Sequence, residues 1–228
     1  MNLQRPDSPV VNAAQDPAEL FDVVRADGTP TGEVKQRALV HRDGDWHRAV
    51  HVWVAGIDQG DPFILLQRRS LEKDTWPGGL DVTVGGHYRS GEGLSEVLRE
   101  IEEEIGVSPG VEELRSLGVR IAANERTIGV LDRELQDVFL WRNDAPLTVY
   151  TPNPHELLEL IKVPLEPLLN MLLGDLNAMQ VECLSAADRS LGRVRLRADD
   201  FVFTIDRYFY RAAIAVSRAL HGERHVAI

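Results

Sequence analysis

The chain has 228 residues, of which 43% are hydrophobic and 27% are charged, so it can bury a substantial core. Its formal charge of −11 disfavours general binding to the phosphates of nucleic acids. The single cysteine, Cys183, excludes an internal disulfide framework and a cysteine-based zinc site, and no apolar run approaches the roughly 18 residues that a membrane span needs.

In chain order, the hydrophobic pattern predicts a loose tail over residues 1–19, an α/β domain over 20–175 and a helical extension over 176–228 packed on that domain. Strands are predicted at 21–24 with a return from 33, and at 49–55, 63–67, 80–84, 117–123 and 136–142. A loop is predicted from Gly85 to about Gly91, and helices at 93–105, 164–173 and 206–220. The apolar stripe over 205–220 would cap the domain or form a homodimer interface.

The helix predicted over 93–105 concentrates negative charge on one side. On a helical wheel, four carboxylates fall within an arc of about 100°, beside a separate apolar arc of similar width. The carboxylates belong to Glu96, Glu100, Glu103 and Glu104. Such a face is typical of solvated helices, but crowded oxygen ligands also suit Mg²⁺ or Mn²⁺.

The residues from Gly86 to Glu92 and from Arg99 to Val107 resemble the Nudix box, G-x5-E-x7-R-E-U-x-E-E-x-G-U, where U is aliphatic. The second half matches at every position, whereas the spacing between Glu92 and Arg99 is one residue short. The resemblance implies a Nudix fold, a mixed-sheet α/β/α sandwich. It also implies hydrolysis of an organic diphosphate by metal-activated attack of water on phosphorus.

The same resemblance implies roles for individual residues. Glu100, Glu103 and Glu104 would bind Mg²⁺ or Mn²⁺, with the carbonyl of Gly85 as a further ligand, and Arg99 would orient the carboxylates by ion pairing. Glu103, Glu104, Arg99 and Glu134 are the catalytic candidates, and the residues leave open which carboxylate is the general base.

Segments on both sides of this motif resemble the branch of the family related to isopentenyl-diphosphate isomerase, over about residues 20–173. Among the segments that carry this resemblance are 41–53, 65–70, 73–78 and 132–139. The isomerase has a catalytic cysteine where this chain has Gly85 and a basic residue where it has Glu100. Both departures favour hydrolysis over isomerisation, because a glycine cannot transfer a proton to carbon.

The isomerase also binds a metal through histidines and acids, which implies a second metal site in this chain. The matching residues are His47, His87, Asp132 and Glu134, with His41 matched loosely because the loop length differs. For the histidines the alternative is ordinary packing on a strand, and for the two acids an exposed strand face.

Basic residues that follow the strand predicted at 63–67 match the positions that bind diphosphate in the isomerase. Arg69 and Lys73 carry this match, and Arg68 is the adjacent candidate. The alternative for the arginines is a solvated loop. Glu156 matches a loop acid that serves some Nudix enzymes as base or ligand, and the alternative is an ordinary carboxylate at a helix start.

The sequence therefore predicts a hydrolase that uses Mg²⁺ or Mn²⁺ and acts on a small diphosphate, favouring a nucleoside diphosphate derivative. Three alternatives stay open: an isoprenoid-diphosphate hydrolase, a true isomerase, and a non-catalytic nucleotide-binding module. We expect a cytoplasmic protein, because no signal-peptide pattern is present. We expect no nucleic-acid partner because of the negative charge, and no membrane partner because no long apolar run is present.

Overall fold

The computed structural model of the protein describes residues 16, 18–73, 75–127, 130–202 and 204–228, so most of the tail predicted over 1–19 lies outside the described residues. The strands are β1 (Leu20–Val24), β2 (Pro30–Gln36), β3 (Trp46–Asp58), β4 (Asp61–Arg69), β5 (Leu80–Asp81), β6 (Val84–His87), β7 (Leu114–Thr127), β8 (Val130–Arg142), β9 (Leu157–Pro164), β10 (Ala178–Ser185) and β11 (Leu191–Arg197). The α-helices are α1 (Arg37–Asp43), α2 (Leu94–Ile105), α3 (Leu165–Leu173) and α4 (Tyr208–Leu220). Within these ranges, no helix has the length and apolar character needed to cross a membrane.

Strand β3 is the centre of a mixed sheet that joins the eleven strands of the described ranges. Along one side it runs parallel to β8, with His47 opposite Glu134. Along its other side it pairs antiparallel with β6, where His51 lies opposite Gly85, and then with β4. The starts of β3 and β8 and the end of β6 therefore lie side by side.

Side chains of β3 alternate between two hydrophobic cores, one on each face of the sheet. Val50, Val52 and Val54 pack with α2 on one face, and Trp53 packs with α3 and α4 on the other. Helices cover both faces, which confirms the predicted α/β class and the mixed-sheet sandwich.

Helix α2 lies within one residue of its predicted bounds. It ends at Gly106, whose backbone φ of 72° is the left-handed conformation that glycine adopts without steric strain. The periodic residues Val97, Ile101 and Ile105 are fully buried, whereas Glu102 and Glu103 between them are exposed and Glu104 is buried.

The predicted loop at Gly85 and Gly86 is wrong, because both residues lie in strand β6. Glycine-rich segments have low strand propensity, which hides such a strand from pattern analysis. The structure shows why side chains are small here: β6 runs between His51 on one face and Glu100 on the other.

The C-terminal extension is helical only in its second half. Residues 178–197 form the hairpin of β10 and β11, which pairs antiparallel with β9, and α4 follows. A strand at the edge of a sheet is stabilised by its pairing with the neighbouring strand, so the local sequence does not predict it. Strand β9 and helix α1 are likewise elements that the pattern does not predict.

Candidate active site

Arg99 organises the acidic face of α2 by contacting four carboxylates. Its guanidinium nitrogens lie 2.7 Å from Glu103, 2.9 Å from Glu100, and 3.4 Å from both Glu96 and Glu92. Glu92 thus meets Arg99 although the spacing between them is one residue short. A single arginine therefore orients most of the acidic side chains that the sequence analysis singled out.

The side chain of Glu100 extends from α2 to strand β6, which contains Gly85 and Gly86. A Cβ atom on Gly86 would be 2.7 Å from the carboxyl group of Glu100, so a side chain here would require that carboxyl group to move. Burial raises the pKa of Glu100, although the charge of Arg99 opposes that shift. The Glu103 side chain, in contrast, is 52% exposed and points its carboxylate along the helix to Arg99.

Glu104 is the most deeply placed carboxylate of the helix, with 3% of its surface exposed. Its side chain accepts a hydrogen bond of 3.0 Å from the amide nitrogen of Gln67 on β4. Its backbone carbonyl accepts one of 2.8 Å from Asn153, which anchors the loop that carries Glu156. Burial raises the pKa of Glu104 well above its ordinary value, and the nearby Glu156 raises it further.

A second group of ligand-type side chains lies on the α4 face of the sheet. His41 from α1, His47 from β3, His87 from β6 and Asp132 from β8 each place one donor atom within 4.8 Å of all the others. Among the described residues, Glu100, Glu103 and Glu104 of α2 do not form so compact a group. We call these four residues, together with Glu134, the histidine cluster.

Glu134 joins the cluster through one carboxylate oxygen. Its Oε1 atom accepts a hydrogen bond of 2.9 Å from Nε2 of His87 and lies 3.9 Å from Nε2 of His47. Nε2 of His47 is in turn 3.8 Å from Oδ1 of Asp132, and Nε2 of His41 is 3.9 Å from the same oxygen.

The chemistry of the donors fits a divalent cation. Nε2 of His41, Nε2 of His47 and Oδ1 of Asp132 are buried and have no hydrogen-bond partner. Buried polar atoms without partners are rare, and two imidazole nitrogens that face a carboxylate oxygen are the donor types that bind a divalent cation. Metal–ligand bonds of about 2.0–2.2 Å place neighbouring donors roughly 3–4 Å apart, which agrees with these separations.

The protonation of the histidines supports the same fit. Nδ1 of His47 lies 3.1 Å from the carbonyl of Asp45, an arrangement that leaves Nε2 with its lone pair toward the cluster. Burial lowers the pKa of His47 to about 4 and that of His41 to about 3. Both imidazoles are therefore neutral near pH 7, which is the form that binds metals.

The pKa values of the two acidic members of the cluster, Asp132 and Glu134, are shifted in opposite directions. Burial raises the pKa of Asp132 to about 7, and the charge of Glu134 acts the same way. Burial would also raise the pKa of Glu134, but the hydrogen bond and charge of His87 hold it well below its ordinary value. The ionised form is therefore favoured for Glu134 and disfavoured for Asp132.

Two of the three predicted diphosphate-binding residues lie near Glu104. The charges of Lys73 and Arg69 both act on its pKa. Arg69 also contacts Asp81 at 3.0 Å, and the ammonium of Lys73 contacts Glu156. Both cations are therefore held at the end of α2 by carboxylates.

Arg68 lies elsewhere, because alternate residues of a strand point to opposite faces. Its guanidinium contacts Glu159 of β9 at 2.6 Å and the carbonyl of Gly78 at 3.2 Å. These contacts tie β4 to its neighbouring strand and to the loop before β5.

Sequence reasoning gave no role to Gln67 and matched His41 only loosely. His41 lies on α1, which the pattern did not predict, and Gln67 is a polar residue in a buried strand, 2% exposed. A glutamine at a core position of a strand is a signal that could have been used, because buried polar groups require partners.

The chain is similar to known proteins over most of the region described above. A family model described as the NUDIX domain matches residues 45–180. Nudix hydrolase 3 of Arabidopsis thaliana is 37% identical over 158 residues, which are 68% of this chain and 20% of that protein. This chain therefore spans only a fifth of the length of the plant relative.

Two further similarities agree with the architecture and with the resemblance found in the sequence. An isopentenyl-diphosphate Delta-isomerase of Paenarthrobacter aurescens is 34% identical over 130 residues, which are 57% of this chain and 67% of the isomerase. A crystal structure of a Deinococcus radiodurans protein matches with a TM-score of 0.51 and 26% identity, covering 68% of this chain and 90% of that protein.

Proposed function

This chain belongs to the Nudix family, and on that premise we propose that it hydrolyses a diphosphate linkage in a small organic substrate with Mg²⁺ or Mn²⁺ as cofactor. The observation that carries the proposal is the placement of Glu100 and Glu104. Glu104 is buried and Glu100 is partly buried, both have raised pKa values, and they contact Gln67 and Arg99, respectively. Buried carboxylates that crowd together become ionised most readily when a cation compensates their charge.

The acidic helix would hold the catalytic cation. Glu104 supplies a buried carboxylate, Glu100 a partly buried one and Glu103 a solvent-facing one, and the carbonyl of Gly85 remains the proposed backbone ligand. When bound, a divalent cation neutralises phosphate oxygens and lowers the pKa of coordinated water. Glu103 and Glu104 are the carboxylates proposed to accept the proton from water.

The histidine cluster would hold a second cation. His41, His47, His87, Asp132 and Glu134 present nitrogen and oxygen donors, a mixture that suits Mn²⁺ or Zn²⁺. Glu134 stays among the catalytic candidates, because one of its oxygens faces both His87 and His47 of the cluster.

Arg69 and Lys73 are the proposed contacts to the diphosphate. Each is paired with a carboxylate, Asp81 or Glu156, so neither is a freely solvated loop residue. A guanidinium fork suits phosphate oxygens, and both cations lie at the end of α2 that carries Glu104. We leave Arg68 out of this set, because its side chain contacts Glu159 and Gly78.

The favoured substrate class is a nucleoside diphosphate derivative, and an isoprenoid diphosphate is the second candidate. The histidine cluster and the isomerase relative support the second candidate. Isomerisation itself is disfavoured, because Gly85 has no side chain that could transfer a proton on the face beside His51. A purely binding role is disfavoured by the tightly organised glutamates, which a binder does not require.

The test is a substrate screen on the full chain with Mg²⁺ or Mn²⁺. Nucleoside diphosphate sugars, dinucleoside polyphosphates and isopentenyl diphosphate are incubated in H₂¹⁸O, and products are followed by ³¹P NMR and mass spectrometry. We expect metal-dependent cleavage with ¹⁸O in a phosphoryl product, because water attacks phosphorus. Isopentenyl diphosphate in D₂O is followed for carbon-bound deuterium, which would instead indicate an isomerase.

Matched variants assign the site. Glu103→Gln and Glu104→Gln are expected to lower kcat by about 100-fold or more, whereas Glu102→Gln, an exposed carboxylate on the same helix, is expected to leave it unchanged. Cleavage that survives both active-site substitutions would remove the acidic helix from the proposed mechanism.

A further inference from the structure

We propose that the C-terminal segment positions Glu134 of the histidine cluster through a chain of side chains formed by Asp206, Arg120 and Gln136. The inference rests on the proposed function in one respect, namely that the cluster binds a divalent cation. It assigns a role to residues beyond the matched domain, which ends at residue 180.

The first link joins the segment before α4 to strand β7. Nε and Nη2 of Arg120 donate to the two carboxylate oxygens of Asp206 at 2.9 and 3.0 Å. The guanidinium carbon also lies 4.1 Å from the centre of the Tyr208 ring, at the first turn of α4. The C-terminal segment therefore contacts the Arg120 guanidinium in two ways: Asp206 binds its edge and the Tyr208 ring covers its face.

The second link joins β7 to β8, where Arg120 lies directly opposite Gln136. Nη1 of Arg120 donates to the side-chain carbonyl of Gln136 at 2.7 Å. An amide side chain has one acceptor and one donor group, so this bond turns the amide nitrogen of Gln136 the other way. Gln136 is 4% exposed, and water has little access to compete for these groups.

The third link reaches the cluster. The amide nitrogen of Gln136 donates to Oε2 of Glu134, two residues earlier on the same face of β8. The other oxygen, Oε1, faces His87 and His47. Gln136 thus holds one oxygen of Glu134 so that the second points to the cluster, which is how partners of metal ligands set ligand orientation.

The test measures Mn²⁺ binding to the full chain by calorimetry and by electron paramagnetic resonance, without substrate. Gln136→Met keeps the side-chain volume and removes both polar groups, and Asp206→Asn weakens the anchor of Arg120. We expect about 10- to 100-fold weaker Mn²⁺ binding at the cluster for Gln136→Met and a smaller loss for Asp206→Asn. Asp206→Glu, which restores the carboxylate, is expected to recover part of the affinity.

Arg115→Ala is the matched control. Arg115 also lies on β7 and also ties the strand to the C-terminal segment, through the carbonyls of Glu223 and Arg224, but it has no bond to Gln136. We expect wild-type Mn²⁺ affinity for this variant. Melting temperatures in EDTA are measured for each protein, so that a general loss of stability is separated from an effect on the cluster.

His47→Ala identifies which of the Mn²⁺ sites is the cluster. If wild type and His47→Ala bind the same number of Mn²⁺ ions, the cluster is not a metal site, and both the second cation of the proposed function and this inference fail. If wild type binds one more ion than His47→Ala, while Gln136→Met and Asp206→Asn retain wild-type affinity, the metal site stands and the positioning role is overturned.

Discussion

The carboxyl group of Glu100 lies so close to Gly86 that a Cβ on the glycine would approach it to 2.7 Å. A side chain at position 86 would therefore have to displace the Glu100 carboxylate. The contact sets the position of a proposed metal ligand by steric fit, in addition to the ion pair with Arg99 at 2.9 Å.

Gly86→Ala tests that fit. The added methyl group is expected to displace the Glu100 carboxylate and to lower kcat by about 100-fold, because catalytic groups tolerate little misplacement. Gly93→Ala is the control, since a Cβ at Gly93 meets no atom within 4 Å and its φ of −134° suits alanine. Equal loss in both variants would show that the loss does not depend on the contact between Gly86 and Glu100.

Glu104→Gln is expected to stabilise the protein in EDTA at neutral pH. The folded state raises the pKa of Glu104 above the ordinary value of 4.5, chiefly by burial, so its ionisation opposes folding. The benefit of the neutral amide is therefore absent below about pH 4.5, grows as pH rises, and is complete above the raised pKa.

Thermal melts of wild type and Glu104→Gln across pH 4.5 to 8.5 measure this difference, at about 2–4 °C for each kcal/mol in a chain of this size. Glu102→Gln, with an exposed carboxylate, is expected to show no such trend. With Mn²⁺ present the order should reverse, because wild type is stabilised by a cation at the acidic helix that Glu104→Gln binds less tightly. A pH-independent difference would contradict the assignment to Glu104 ionisation.

Mn²⁺ binding at the histidine cluster is expected to weaken in acid. The pKa of Asp132 lies near 7 because of burial. Burial lowers the pKa of His87, but the hydrogen bond and charge of Glu134 and the charge of Asp132 together raise it above its ordinary value. Protons therefore compete with the cation as pH falls below about 7, by about tenfold for one group between pH 8 and 6 and more for two. Calorimetry in buffers of different ionisation enthalpy counts the protons released, and zero release at pH 6.5 would contradict this account.

Arg99→Lys is expected to reduce kcat by about 10- to 100-fold while leaving the fold intact. A lysine carries the charge but cannot reach several carboxylates with fixed geometry, as Arg99 does with Glu92, Glu100 and Glu103. Arg142→Lys, on a surface pair with Asp144, serves as the matched substitution and is expected to have no effect. Equal kcat values for the two variants would mean that charge alone is sufficient at position 99.

Local periodicity predicts helix α2 well, because its buried face repeats at Val97, Ile101 and Ile105 and its end is fixed by Gly106. The same reasoning fails for the hairpin of β10 and β11, which depends on the edge of β9. Strand β6 is missed for a different reason: its glycines serve close packing and carry no hydrophobic pattern.

In the candidate site, too, the residues of one local motif are predictable and those gathered from distant parts of the chain are not. Residues within one motif, such as Arg99 and Glu104, can be placed on a helix from their spacing alone. The histidine cluster gathers side chains from α1, β3, β6 and β8, so only resemblance suggested it. The partners Gln67 and Gln136 are neutral amides with no motif, and their roles became visible only from the hydrogen bonds to Glu104 and Glu134.

Anomalous diffraction from crystals grown with Mn²⁺ and a non-hydrolysable diphosphate tests the central claim most directly. The account predicts a manganese peak among Glu100, Glu103 and Glu104, a second peak within the histidine cluster, and diphosphate oxygens near Arg69 and Lys73. Manganese absent from the acidic helix, with the diphosphate bound elsewhere, would contradict the proposed function.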